Sequence, residues 1–403
     1  MAQQHSQGVR AGQAAADGKK CRAVADIEMQ VASRNFKMTI KKFAITAVAT
    51  AAAMAAATGA YAQASTSQVT LYGVVDANVQ FLDGASTLTR VQSGGLQGSR
   101  FGVRGTEDLG GGLRAFFTLE SGINLDDGTT GQGAFWGRQA FVGLATPYGD
   151  VSLGRQYGSL YNLSSDFSAF SNTSYGASTA VIGGYGGYEP VRGGNSSGAL
   201  NGGPARVNNS IKFQTVDYSG FKAGVLVGLG EQAGGTNQTR LADVYGRYTK
   251  KGVDAMVSDV DDKQAATGLN VRTMSAAGAY NINNAYRVLG GVISTDDRST
   301  FNQDGTGYWL GGDYRVGANT FKVQYVENKM KRDTFGNNGK TQAFGVGYQY
   351  DLSKRTALYS SLTHFKNEGV GYAARMAGSM PAGLTRTGEG NVNEFVTGVR
   401  HTF

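Results

Sequence analysis

The stretch Val69-Thr-Leu-Tyr-Gly-Val-Val-Asp-Ala-Asn-Val-Gln-Phe81 decides the fold. Apolar side chains fall at Val69, Leu71, Val75, Ala77, Val79 and Phe81, and polar ones at Thr70, Asp76, Asn78 and Gln80. Successive side chains of a strand point to opposite faces, so this alternation describes one strand with an apolar face and a polar face. The strand is longer than the ~5–6 residues usual in soluble proteins. It is long enough to cross a bilayer at a tilt, which takes ~9–11 residues.

The same pattern recurs along the chain. Leu113, Ala115, Phe117 and Leu119 alternate with Arg114, Phe116, Thr118 and Glu120, and Val207, Ile211 and Phe213 alternate with Arg206, Asn208, Ser210 and Lys212. No stretch beyond residue 62 sustains helical spacing with caps. The 403 residues include 61 Gly, 20 Tyr and 19 Phe but only 4 Pro, with 40% hydrophobic and 17% charged residues. Hydrophobic content this low, without repeated runs of ~20 apolar residues, excludes a helical membrane protein. Scarce Pro and aperiodic Gly exclude a collagen-like chain, and the aromatic content argues against general disorder.

The connections also alternate. Short ones fall at 108–112, 147–150, 218–221, 249–253, 281–285, 316–319 and 351–355, and long polar ones at 83–98, 122–134, 158–205, 230–240, 261–269, 295–306, 328–340 and 367–391. Fifteen joints imply sixteen strands. The expectation is an all-β chain: a 16-stranded antiparallel transmembrane β-barrel with short turns at one rim and long loops at the other. Tyr148, Tyr218, Tyr248, Tyr280, Tyr314 and Tyr350 sit at or just before the short turns. An apolar ring with a polar tip suits the headgroup level, so these read as a girdle. Because lipid offers backbone groups no partners, the sheet must close, the first strand pairing with the last. That last strand, 391–403, ends at Phe403, with Phe395, Thr397, Val399 and His401 on the same face and Glu394 and Arg400 on the other.

Residues 38–62 read as a signal peptide: Lys41 and Lys42, an apolar run from Phe43 to Ala57, then Ala60-Tyr-Ala62. Cleavage is expected after Ala62 and translation at Met38, with 1–37 an extension from an over-long gene assignment and 63–403 the barrel domain. The formal net charge of +8 is concentrated at the start, because residues 1–62 hold 8 of the 38 Lys+Arg but 3 of the 30 Asp+Glu. Basicity therefore makes no case for nucleic acid. The only cysteine is Cys21, so the barrel has no disulfide.

Five motifs in order carry a resemblance: Val69-Thr-Leu-Tyr-Gly73, Ser99-Arg-Phe-Gly-Val-Arg-Gly-Thr-Glu-Asp-Leu-Gly110, Arg138-Gln-Ala-Phe-Val-Gly-Leu144, Gly154-Arg-Gln-Tyr-Gly158 and Arg206-Val-Asn-Asn-Ser-Ile211. Residues 68–403 resemble the Gram-negative general porins. The resemblance implies a homotrimer among outer-membrane lipids. It also implies periplasmic short turns, external long loops, and a third loop folded into the lumen, here the segment 158–205. It implies a water-filled passive diffusion channel for small hydrophilic solutes and ions. No cofactor, metal or catalysis belongs to that role.

The resemblance places a constriction cluster at Arg100, Arg138 and Arg206. Arg100 and Arg104 share the face opposite Phe101 and Val103, so Arg104 joins them, whereas the lumenal placement of Arg138 rests on the resemblance alone. Fixed positive charge in a narrow pore favours anions. Acids of the third loop, Glu189 by preference and Asp166 otherwise, are expected to face the arginines. Arg155 shares the parity of Val151, Leu153 and Tyr157, the outward face. A cation there costs ~2–4 kcal/mol at mid-membrane, so a subunit contact with Asp126 or Asp127 of a neighbour is expected to cover it. Alternatives are a substrate-selective porin, a surface adhesin, and a barrel enzyme using His364 or His401, for which no Ser-centred motif exists. The acids Asp259, Asp261, Asp262, Asp296, Asp297 and Asp304 lack calcium-loop spacing.

Overall fold

The computed structural model describes residues 67–171, 175–178, 205–229, 239–264, 269–298, 304–332, 337–368 and 390–403. Residues 1–66, with the expected signal peptide, and 179–204, with Glu189, lie outside the described residues. The strands are β1 (Ser67–Asp83), β2 (Thr87–Ser93), β3 (Arg100–Gly110), β4 (Leu113–Gly122), β5 (Gln139–Thr146), β6 (Gly149–Tyr157), β7 (Arg206–Thr215), β8 (Phe221–Gly228) and β9 (Thr239–Lys250). They continue as β10 (Val253–Gln264), β11 (Leu269–Asn281), β12 (Tyr286–Asp297), β13 (Gly305–Val316), β14 (Asn319–Arg332), β15 (Asn337–Asp351), β16 (Thr356–Glu368) and β17 (Gly390–Thr402). One helix of two turns, α1 (Ser159–Asp166), opens the third loop.

Seventeen strand segments fill sixteen places of a closed antiparallel barrel. From β3 onward each strand pairs with its sequence neighbour, and β1 closes on β17 with Val75 opposite His401 and Phe81 opposite Phe395. The closure reaches the terminal residue, because Gly73 and Phe403 exchange both backbone hydrogen bonds at 3.1 Å. The first and last strands are thereby paired, as hydrocarbon requires.

The extra segment arises because β1 has two partners on one side. β3 pairs with its first half, from Ser67 opposite Glu107 to Val74 opposite Arg100. β2 pairs with its second half, from Ala77 opposite Ser93 to Asp83 opposite Thr87. The segment 83–98, expected as a long loop, is instead a tight turn, a strand and an insert at 94–99. The faces of this strand mix apolar and polar residues, Thr87, Thr89 and Val91 on the exposed one and Leu88, Arg90 and Gln92 on the other, so no alternation of polarity marks it.

Burial follows the pleat. Val257, Val292, Leu310, Val323, Leu362 and Val399 point outward and are exposed, while Met256, Leu289, Trp309, Val326, Tyr359 and Val396 point inward and are buried. An outer wall this apolar suits lipid. At the short-turn rim the expected aromatic girdle forms, with Tyr286 stacked on Tyr314 at 4.7 Å and Phe221 against Tyr248 at 4.5 Å.

Candidate pore constriction

A barrel of this size leaves a wide lumen unless something fills it. Here the third loop leaves β6 and crosses to the far inner wall, where successive strands hold it. Ser159 N at the start of α1 donates to Asp243 Oδ2 of β9 at 2.6 Å. Trp309 Nε1 of β13 donates to Phe167 O at 2.5 Å, and Lys322 Nζ of β14 to Ala169 O at 2.9 Å. Gln324 accepts from Ala169 N at 2.8 Å and donates to Ala177 O at 2.5 Å. Tyr175 donates to Ser360 O of β16 at 3.1 Å, and its burial raises the phenol pKa above the ordinary value.

The apolar side of the loop packs with equal closeness. Phe167, Phe170, Leu160, Leu163 and Tyr175 are almost fully buried. A side chain at Gly347 of β15 would meet Phe170 at 2.6 Å and Tyr175 at 2.9 Å, so this wall position must be glycine for the loop to lie flat. The described part of the loop is thus fixed in the lumen by both hydrogen bonds and packing.

Opposite the far-wall anchors, the arginines gather on one carboxylate. Arg138 Nε donates to Glu120 Oε1 at 2.7 Å, and Arg100 Nε lies 3.6 Å from Oε2. Tyr157 and Tyr72 each donate a hydroxyl to Glu120 at 3.0 Å. Tyr157 stacks on Tyr161 of α1 with centroids 3.7 Å apart, and the Arg206 guanidinium lies 5.0 Å and 5.4 Å from those two rings. Arg138 Nη2 also donates to Tyr161 at 3.4 Å. Two guanidinium groups on one carboxylate, with a third over the adjoining tyrosine rings, leave this part of the lumen positive.

The structure sets Arg100 and Arg206 beside this centre, and brings Arg138 to it through Glu120. Arg104 lies further along β3, over the Tyr72 ring at 5.2 Å, and does not touch Glu120. Asp166 does not face these arginines. Its carboxylate pairs with Arg247 of β9 at 2.6 Å, and its carbonyl accepts from Arg287 of β12, so it anchors the loop to the far wall. Glu120, Tyr72, Tyr157 and Tyr161 went unrecognised. The signal for Glu120 was its place on the polar face of β4, opposite Gly102 and so one same-face step along β3 from Arg100.

Alternation fails at Tyr157, which parity assigns with Arg155 to the outward face but which sits instead in the Glu120 cluster. The β6–β7 register shifts between Gly154 and Gln156. Gly154 has φ 133° and Asn209 φ 45°, conformations that end regular alternation. Arg155 Nε donates to Gly137 O at 2.8 Å, and its Nη1 donates to Asn208 Oδ1. The guanidinium thus has two partners within its own chain. Asp127 accepts from Thr129 N at 2.8 Å and Oγ1 at 2.7 Å, bonds that hold its carboxyl below the ordinary range, and Asp126 stands in the field of Arg90. Among the acids elsewhere, Asp259 pairs with Arg272 and Asp296 with Arg298. No metal-holding group of His, Cys, Asp and Glu gathers among the described residues.

A closed, lipid-faced barrel with a charged, loop-narrowed lumen defines a membrane pore. Residues 49–370 match the Gram-negative porin family, and the chain belongs to it. It is 30% identical over 377 residues to outer membrane porin protein 32 of Delftia acidovorans, covering 87% of this chain and 98% of that protein. It is also 30% identical to an outer membrane porin protein of Bordetella pertussis, covering 79% of this chain and 93% of that protein. Among solved structures, the anion-selective porin from Comamonas acidovorans superposes with a TM-score of 0.67 at 27% identity, over 84% of this chain and all of that one. The chain is therefore an outer-membrane porin, a passive channel.

Proposed function

We propose that this porin conducts small hydrophilic solutes with a preference for anions, as a homotrimer exported by a signal peptide cleaved after Ala62. The observation that carries the preference is the pairing of Arg100 and Arg138 with Glu120, with Arg206 over the Tyr157 ring, beside the lumenal loop. Fixed guanidinium groups in a confined aqueous path attract anions and repel cations, and they need no conformational step to do so. The 27% identical structure described as an anion-selective porin supports the same direction. The solute gradient supplies the driving force, and the cluster has no nucleophile paired with a base, so no reaction is assigned to it.

Replacing Arg100, Arg138 and Arg206 together by Gln tests this reading. The zero-current potential in a salt gradient should move toward cation preference. The shift should shrink between 0.1 M and 1 M salt, as the Debye length falls from ~10 Å to ~3 Å. An unchanged permeability ratio at 0.1 M would place the selectivity elsewhere.

A further inference from the structure

Residues 94–99, between β2 and β3, have no counterpart in an uninterrupted barrel strand. They lie over the inward face of β1, where Asp76, Asn78 and Gln80 point and are buried. One residue accounts for their position. Asp76 Oδ1 accepts from Gly95 N at 3.1 Å, and Oδ2 from Gln97 N at 2.7 Å. The Asp76 carbonyl accepts from Gly94 N at 2.7 Å and from Ser99 Oγ at 2.9 Å, and Asp76 N donates back to Ser99 Oγ at 3.0 Å.

The insert touches both halves of the constriction. On one side, Gly98 O accepts from Arg100 Nη1 at 3.0 Å, and a side chain at Gly98 would stand 3.1 Å from Arg138 Nη1. On the other side, Tyr359 of β16 donates its hydroxyl to Asp76 Oδ1 at 2.5 Å. To reach β1, Tyr359 crosses β17 where Gly398 leaves room, since a side chain there would meet the ring at 2.6 Å. The ring then packs edge-on against Tyr175 of the third loop at 4.9 Å. Gly94, Gly95, Leu96 and Ser99 are buried, while Gln97 and Gly98 keep partial exposure.

We propose that residues 94–99 are a second pore-narrowing element beside the third loop. Asp76 is the positioning residue that holds this insert directly and the third loop through Tyr359 and Tyr175. The inference rests on the lumen being an open ion path, and it extends the path's walls to a segment of the first hairpin. It makes Gln97 a side chain that permeating ions pass, and Gly98 O a fixed partner that orients Arg100.

Cysteine chemistry tests the lining. Cys21 is the only cysteine, so a Cys21→Ser chain carrying Gln97→Cys has a single thiol. A bulky sulfonated thiol reagent added during planar-bilayer recording should lower its conductance by about a quarter or more, through volume and negative charge at a narrow point. The same reagent on Asp127→Cys, in the second external loop, should leave conductance unchanged. Asp76→Ala and Tyr359→Phe test the positioning. Each should add brief partial closures to the open-channel current and shift the permeability ratio, because Arg100 loses a fixed partner or the loop its tether. Tyr359→Phe deletes one hydroxyl and keeps the ring, so it carries the test if Asp76→Ala fails to fold. Complete modification of Gln97→Cys, verified by mass, with unchanged conductance would overturn the lining. A Tyr359→Phe channel as quiet and as selective as the parent would overturn the positioning. Failure of the parent chain to conduct at all would overturn the channel reading together with this inference, so the two failures are distinguishable.

Discussion

Glu120→Gln removes the one carboxylate at the arginine centre and leaves its shape almost unchanged. Glu120 lies 2.7 Å from Arg138 Nε and 3.6 Å from Arg100 Nε, and accepts from two tyrosines. At an effective dielectric of ~20, each contact at this range is worth about 4 kcal/mol before desolvation is subtracted. Breaking a buried pair typically costs a net ~3–5 kcal/mol. The folded barrel should therefore unfold at lower temperature in detergent. Selectivity should change in the opposite sense to damage. An ion passing ~10 Å from a bare unit charge in water feels about 0.4 kcal/mol, a factor of about 2 in local concentration, with opposite sign for anion and cation. Losing one negative charge should thus raise the anion-to-cation permeability ratio about two- to four-fold at 0.1 M salt, less at 1 M. The assay is the zero-current potential across a planar bilayer in a salt gradient. A ratio that falls or stays constant would refute the placement of Glu120 beside the ion path.

The loop and the leader supply two further expectations. Gly347→Leu should push Phe170 and Tyr175 off the far wall, since even a Cβ meets them at 2.6 Å and 2.9 Å. Single-channel conductance should change by roughly a third or more while the barrel stays folded, and a parental conductance would mean that the loop does not limit flow. N-terminal sequencing of the protein recovered from outer membranes should begin at Gln63 or a near neighbour, and recovery of peptides from residues 1–37 would sink the proposed cleavage.

The strands were legible in the sequence because one physical constraint, lipid outside and water inside, imposes a period of two on each of them. The Val69–Phe81 alternation, the closing strand ending at Phe403 and the rim tyrosines all carry that constraint locally. Arg100 was legible for the same reason, lying on the polar face opposite Phe101. Where the lumen is lined by protein rather than water, the constraint lapses. β2 went unseen because residues 83–98 are held by Asp76 and by pairing with β1, contacts the local composition does not encode. Tyr157 departs from the outward parity because the irregular register at Gly154 and Asn209 breaks alternation without any apolar signal. Asp166 found Arg247 and Arg287 rather than Arg100, since the path of the third loop is set by partners on five distant strands.

The most direct measurement is the current through the purified protein in a planar bilayer under a salt gradient. The proposed trimer of arginine-lined barrels should give steady conductance in sets of three equal steps. That conductance rises with bath salt, and the zero-current potential has the sign of anion preference. A silent bilayer, or steady steps whose zero-current potential has the cation sign at 0.1 M salt, would contradict it.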